Sequence, residues 1–177
     1  KHVRQLFDEL SDIMHGLFLL HDLSEKTLDT IMSYGERLST QIVVELIDDI
    51  KLFDARNFIK TEHKSPTHAI DSNLTYQLIQ DTFKELPHRS LVPGFISSDA
   101  LTGEVSNLGR GGSDYSASLI GMSVDAERIE IWTDVDGVRT ADPRRVPNTK
   151  YLEKISFEEA AEMAHFGAKV LHPLTIE

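Results

Sequence analysis

Apolar residues at Val3, Leu6, Phe7, Leu10, Ile13, Met14 and Leu17 recur every three or four positions and predict a helix over about Val3 to Leu20. The pattern is already running at the first residues, so the chain reads as starting inside a domain. Ser24 is an N-cap for a second helical region. There Leu28, Ile31 and Met32 share a face that Leu38, Ile42, Val43, Leu46, Ile47 and Ile50 continue, with Gly35 expected to interrupt it. Downstream, "KLFDARNFI" reads as a strand, "TEHKSPTHAIDSN" as a polar loop, "LTYQLIQDTFKEL" as a helix and "SLVPGFI" as a buried strand. A hairpin-like stretch leads into "SNLGRGGSDYSAS", and the small residues from about Ser113 to Met122 predict a short helix. In "RIEIWTDV", Ile129, Ile131 and Thr133 alternate with Arg128, Glu130 and Trp132, the period of a strand.

"DGVRTADPRRVPNTKYL" carries the turn residues Gly137, Pro143 and Pro147 and reads as a loop or loose hairpin. Ser156-Phe157-Glu158-Glu159 forms a capping box opening a helix that Gly167 would close, before "AKVLHP". Alternating strands and helices predict an α/β layer fold with a largely parallel sheet. Only about three core strands are evident, fewer than the usual roughly 5–6, so strands are expected to be missing at one or both ends.

Composition narrows the partners. The 177 residues carry 18 basic against 29 acidic side chains, a net charge of -11. That charge opposes sequence-independent attraction to nucleic acid or an anionic membrane. An anionic ligand therefore needs locally gathered positive charge. There is no cysteine, hence no disulfide framework or thiolate chemistry. Apolar runs such as "GLFLL" are too short to span a bilayer, and the start lacks signal-peptide organisation. A soluble, cytoplasmic protein is expected.

The glycine loop is suited to an anion. Glycines let backbone N–H groups converge, and a helix starting at about Ser113 adds its positive dipole end. Other glycine motifs fit poorly: Asp114 occupies the last glycine position of a dinucleotide fingerprint, and no Gly-Lys-Ser/Thr follows. In an open α/β sheet the loops beyond the carboxyl ends of strands share a rim, which here would gather the loops after "SLVPGFI" and "RIEIWTDV". Arg110 offers a fork for a carboxylate or phosphate, with Ser113 beside it. Thr133 and Asp134 stand at a strand end, where a ribose or base can be bound. Arg139, Arg144, Arg145 and, after the last helix, Lys169 add the required positive charge. Each also has a plain reading, since surface arginines are usually solvated and an Asp after a strand is often a turn former. Residue types alone leave both readings open. His63 and His68 lack a zinc spacing and read as solvated; His165 and His172 flank Lys169 as packing or hydrogen-bonding groups. Tyr115 and Trp132 read as packing, and Glu158, Glu159 and Glu162 as a solvated helix face.

"NLGRGGSDYSA", "EIWTDVDGVRTADPR" and "ISFEEAAEMAHFGAKVLHP", with "SYGERLS" upstream, closely resemble the signature blocks of aspartate kinases in the amino acid kinase superfamily. "FLLHDLSEKTLDTIMSYGERLS" is most similar to the aspartokinases related to bifunctional aspartokinase/homoserine dehydrogenases. The resemblance implies a three-layer α/β sandwich with a mainly parallel central sheet, the amino acid kinase or carbamate kinase-like fold, incomplete at the N-terminus and at the C-terminus. Within it, residues 1–100 would form the amino-acid-substrate part and 101–177 the glycine-loop and nucleotide-binding part. It further implies transfer of the γ-phosphoryl group of ATP, with Mg²⁺, to the side-chain carboxylate of L-aspartate. This is the first step toward lysine, threonine and methionine, in a full-length protein that forms homo-oligomers.

By the same resemblance, Arg110 would grip a carboxylate of aspartate with Ser113 nearby, and Glu36 would accept its ammonium group. Asp114 and Lys169 would be the catalytic residues, Asp114 orienting groups at the transfer site. Thr133 and Asp134 would meet the nucleoside, Arg139 and Arg144 the phosphates, and Lys169 the phosphate end of ATP. No dedicated metal cage is expected, because Mg²⁺ would be held by ATP oxygens and water. Two features depart from the family. Its opening Lys-Phe-Gly-Gly block, which cradles the transferring phosphate, is absent, and Arg139 stands where Tyr is frequent. No ACT regulatory domain is expected in these residues, and the chain alone is expected to be inactive. The alternatives are a superfamily relative acting on glutamate, carbamate or a nucleoside monophosphate, and a binding module without turnover.

Overall fold

A computed structural model of the chain describes residues 1–21, 23–64, 67–85 and 89–165. The elements run α1 (His2–Leu20), α2 (Glu25–Leu46), β1 (Lys51–Leu52), β2 (Lys60–Lys64), β3 (Thr67–Ile70), α3 (Ser72–Thr82), β4 (Ser90–Leu91), β5 (Ile96–Asp99), β6 (Val105–Asn107), α4 (Gly112–Ser123) and α5 (Phe157–His165). A short 3-10 turn occupies Ala55–Asn57.

The first two helices stand where periodicity puts them. Ser24 caps α2, its Oγ accepting from the Thr27 amide at 3.2 Å. The expected break at Gly35 does not occur: α2 runs unbroken through it. One helical glycine costs only about 1 kcal/mol relative to alanine, too little to divide a long helix. The buried side also differs from the apolar stripe. Ser33, Tyr34 and Thr40 are buried, whereas Leu28, Met32, Ile42 and Leu46 are exposed. Burial of the hydroxyls is possible because each is satisfied locally: Ser33 Oγ donates to the Thr30 carbonyl and Thr40 Oγ1 to that of Glu36, both at 2.7 Å. Glu9 of α1 accepts from the Tyr34 hydroxyl at 3.2 Å, tying α1 to α2.

Several stretches depart from their predicted elements. "KLFDARNFI" is divided because the Asp54 carboxylate accepts from the Arg56 amide at 3.1 Å and turns the chain between β1 and β2. "TEHKSPTHAIDSN", read as a loop, supplies the antiparallel strands β2 and β3, with Thr61 opposite Ile70 and Glu62 opposite Ala69. Polarity hid this pairing: Thr61 is fully buried, and its hydroxyl bonds Ser106 Oγ at 2.7 Å. "SLVPGFI" splits at Pro93-Gly94, and Phe95 takes φ 69, so its ends become β4 and β5 in two different sheets.

The fold is the expected α/β type. Parallel pairing joins β1 to β4 and β2 to β5. The larger sheet, in order β3-β2-β5-β6, is mixed because β3 and β6 are return legs of hairpins. α2 packs along β6, and α3 packs on α4 and β2. Ala55, Phe58, Ile59, Ile79, Phe83, Ile96 and Leu119 form the core, with the Phe83 ring 4.9 Å from Phe53 and 5.5 Å from Phe58.

"RIEIWTDV" is not a strand. A strand exists through its ladder, and no described segment pairs with this one; Ile129 and Trp132 are exposed. The loose hairpin beyond it does form, through a bridge between Arg139 and Tyr151. The capping box is present at α5, where Ser156 N donates to Glu159 at 2.9 Å and Glu159 N to Ser156 Oγ at 3.1 Å. Gly167, Lys169, His172 and "AKVLHP" lie outside the described residues.

Candidate functional site

The hairpin of β5 and β6 delivers the glycine loop to the start of α4. Leu108 N bonds Phe95 O at 2.8 Å, and the chain then turns at Gly109 and Gly111, both left-handed with φ 72 and 74. Gly112 is confined by contact instead. A Cβ there would lie 2.9 Å from Leu108 Cβ and 3.2 Å from Phe95 Cα. A Cβ on Gly94 would sit 3.0 Å from Ser113 Cα and 3.2 Å from its Cβ, so Gly94 lets the α4 backbone approach closely. Ser116 locks the crossing, its Oγ accepting from Phe95 N at 3.0 Å and donating to Gly112 O at 2.8 Å. We expect Gly112→Ala to destabilise the protein by about 1–3 kcal/mol in urea unfolding, because backbone must move. Gly121→Ala is expected to cost less, since the close contacts of its Cβ would be to the outer atoms of the half-exposed Ile129 side chain, with Ala126 Cβ at an ordinary 3.8 Å.

Gly111 caps α4 without a side chain. Gly112 N is taken by Gly109 O and Tyr115 N by Gly111 O, each at 3.1 Å, which leaves the Ser113 and Asp114 amides without a partner among the described residues. Unpartnered amides at a helix start are a seat for an anion. Asp114 is half-buried in this first turn, beside the exposed Ser113.

A cleft of about 530 Å³ opens beside α4. Glu36 of α2, Ser90, Val92, Gly94, Ser113 and Arg128 line it, with apolar side chains such as Ile120 and Ile129 below. Glu36 is half-buried, its carboxylate makes no hydrogen bond or ion pair among the described residues, and burial raises its pKa. A carboxylate held partly out of water with no partner is poised for a cation.

Glu36 and Ser113, distant in sequence, thus face one space, with Asp114 adjacent. Arg110, Thr133, Asp134, Arg139 and Arg144 do not line that space, and Lys169 lies outside the described residues. Arg110 is exposed on the glycine loop, unpaired among the described residues. Thr133 and Asp134 are exposed, with Thr133 Oγ1 donating to Asp134 Oδ1 at 3.2 Å. Arg139 lies over the Tyr151 ring at 3.8 Å and bonds Thr149 Oγ1 at 3.0 Å and the Tyr151 hydroxyl. Arg144 pairs with Asp142 at 3.0 Å. Arg128 is a lining residue that periodicity assigns only to the polar face of a strand. Its guanidinium bonds Glu130 at 3.2 Å, and nothing in the sequence relates it to Glu36.

The sequence model described as the amino acid kinase family matches residues 6–177. The chain is 37% identical over 182 residues to the bifunctional aspartokinase/homoserine dehydrogenase of Buchnera aphidicola, covering 100% of this chain and 22% of that protein. It is 40% identical over 154 residues to lysine-sensitive aspartokinase 3 of Escherichia coli, covering 84% of this chain and 34% of that protein. Among solved structures, E. coli aspartokinase III in complex with aspartate and ADP is similar with TM-score 0.87 and 36% identity, over 99% of this chain and 40% of that one. Clostridium acetobutylicum aspartate kinase is similar with TM-score 0.71 and 35% identity, over 83% of this chain and 32% of that one. The chain therefore spans only 22% and 34% of the lengths of these two curated relatives.

Proposed function

Because the chain belongs to the amino acid kinase family, we propose that it carries the aspartate-binding part of an aspartokinase, which transfers the γ-phosphoryl group of ATP to the side-chain carboxylate of L-aspartate. The observation that supports this reading most is the shared cleft: the partly buried Glu36 carboxylate, without a partner among the described residues, lines the same space as Ser113 at the start of α4, whose cap Gly111 has no side chain. One end suits an ammonium group, the other a carboxylate, and an amino acid offers both. The aspartokinase III structure similar to this one holds aspartate and ADP, which accords with both proposed ligands.

In this reading Glu36 accepts the ammonium group, and Arg110 with Ser113 and the free amides of α4 holds carboxylate. Asp114 orients the reacting groups. Thr133 and Asp134 meet the nucleoside, while Arg139, Arg144 and Lys169 offset phosphate charge. Arg139 would leave Tyr151, and Arg144 would leave Asp142, to do so. The substrate carboxylate is itself the nucleophile, so its oxygen attacks the γ-phosphorus and ADP departs, without a covalent protein intermediate. What the protein must supply is positive charge and alignment for two mutually repelling anions. Mg²⁺ would arrive on the oxygens of ATP. Residues 1–100 would form the amino-acid-substrate part and 101–177 the glycine-loop and nucleotide-binding part, within a cytoplasmic, homo-oligomeric enzyme of lysine, threonine and methionine synthesis.

The test is acyl-phosphate formation from ATP and aspartate, trapped with hydroxylamine, for this chain beside one extended to the length of its relatives. Product from the extended protein is expected. An extended protein that folds and binds ATP yet forms no product with aspartate would overturn the assignment.

A further inference from the structure

α2 presents Asp29, Ser33, Glu36 and Thr40 at helical spacing along one side, and of these Ser33 and Thr40 are buried. α2 packs along β6. At the end of β6, Asn107 is only 8% exposed, and its Nδ2 donates twice to Asp29, to the backbone carbonyl and to Oδ1, each at 3.0 Å. Asn107 Oδ1 has no partner among the described residues. The amide is therefore oriented by donation alone, because turning Oδ1 toward Asp29 would set acceptor against acceptor. The glycine loop begins two residues later at Gly109. Glu36 lies two helical turns beyond Asp29, a span of about 10 Å along the axis. A second polar tie between α2 and this hairpin, Lys26 with Glu104, is exposed and holds far less firmly.

We propose that Asn107 is a positioning residue: by gripping Asp29 it fixes the roll and depth of α2 on β6, and so aims Glu36 at the substrate ammonium opposite Ser113. The proposal rests on the reading of Glu36 as the ammonium acceptor. Its consequence is selectivity. Displacing α2 weakens recognition of the ammonium group while leaving the carboxylate seat on the loop and α4 in place.

The readout is the preference for aspartate over succinate, which has the same two carboxylates and no ammonium, measured by calorimetric titration of the extended protein. Asn107→Asp sets two carboxylates against each other, and Asp29→Ala removes one acceptor while favouring helix. Each is expected to lower the preference about 3- to 30-fold with little change in succinate affinity. The exchange Asn107→Asp with Asp29→Asn restores a donor across the contact and is expected to recover preference. Glu36→Gln is the reference. If it abolishes the preference while Asn107→Asp or Asp29→Ala leaves it intact, positioning by Asn107 is wrong and the Glu36 reading stands. Equal weakening of both ligands would also overturn the proposal, because it marks a merely structural role. If Glu36→Gln itself leaves the preference unchanged, the ammonium reading falls and this proposal with it. Should Asn107→Asp be too unstable to purify, Asp29→Ala decides between the same outcomes.

Discussion

Replacing Glu36 by Gln is expected to raise the unfolding temperature of the ligand-free protein at neutral pH and to weaken aspartate binding about 10- to 100-fold. The opposed effects share a cause. Burial raises the Glu36 carboxyl pKa above its ordinary 4.5, and no described residue offers a compensating partner. Ionised Glu36 is thus a cost to the empty protein and an attraction to a cation. A carboxyl whose folded pKa is raised contributes stability below the unfolded pKa and loses it as pH rises through the folded value. The advantage of the Gln variant should therefore be present at neutral pH and vanish below about pH 4.5. Aspartate affinity of the wild type should run the other way, falling as acidification protonates Glu36. Calorimetric melting and titration across pH check both signs. A Gln variant no more stable than wild type at neutral pH, with unaltered aspartate affinity, would remove Glu36 from the site.

Legibility from sequence depended on whether a signal was local. Helices were legible because period and caps lie within one stretch: Ser24, the Ser156–Glu159 box and the α1 stripe all act where they were read. Strands were less so. Thr61 looks like loop chemistry until Ser106, far along the chain, takes its hydroxyl. The alternation of "RIEIWTDV" promises a strand, but pairing is a property of two segments, and none described pairs with it. Of the site, the side-chain-free start of α4 was visible as glycines before small residues. That Glu36 and Ser113 line one cleft could be expected only through resemblance, and the Asn107–Asp29 tie and Arg128 in the cleft not at all. Each of those depends on how far apart in space two distant segments stop.

Arg110→Ala is expected to raise the aspartate KM of the extended protein about 10²-fold while leaving its unfolding curve unchanged. The stability half follows from placement. Arg110 is exposed, has no described partner, and sits between Gly109 and Gly111, whose left-handed backbones form the turn whatever its side chain is. Its removal should not disturb the fold. The binding half follows from chemistry. A guanidinium offers two parallel charge-assisted bonds to a carboxylate, together about 3 kcal/mol, which is roughly a hundredfold in affinity. Lysine keeps the charge but not the fork, so Arg110→Lys should recover only part of the loss. The KM for ATP separates the two anions this loop could hold. A rise in the aspartate KM alone places Arg110 on the amino acid, whereas an equal rise for ATP would move it to the phosphates. If neither constant changes, the loop acts through its backbone amides and Arg110 is a bystander.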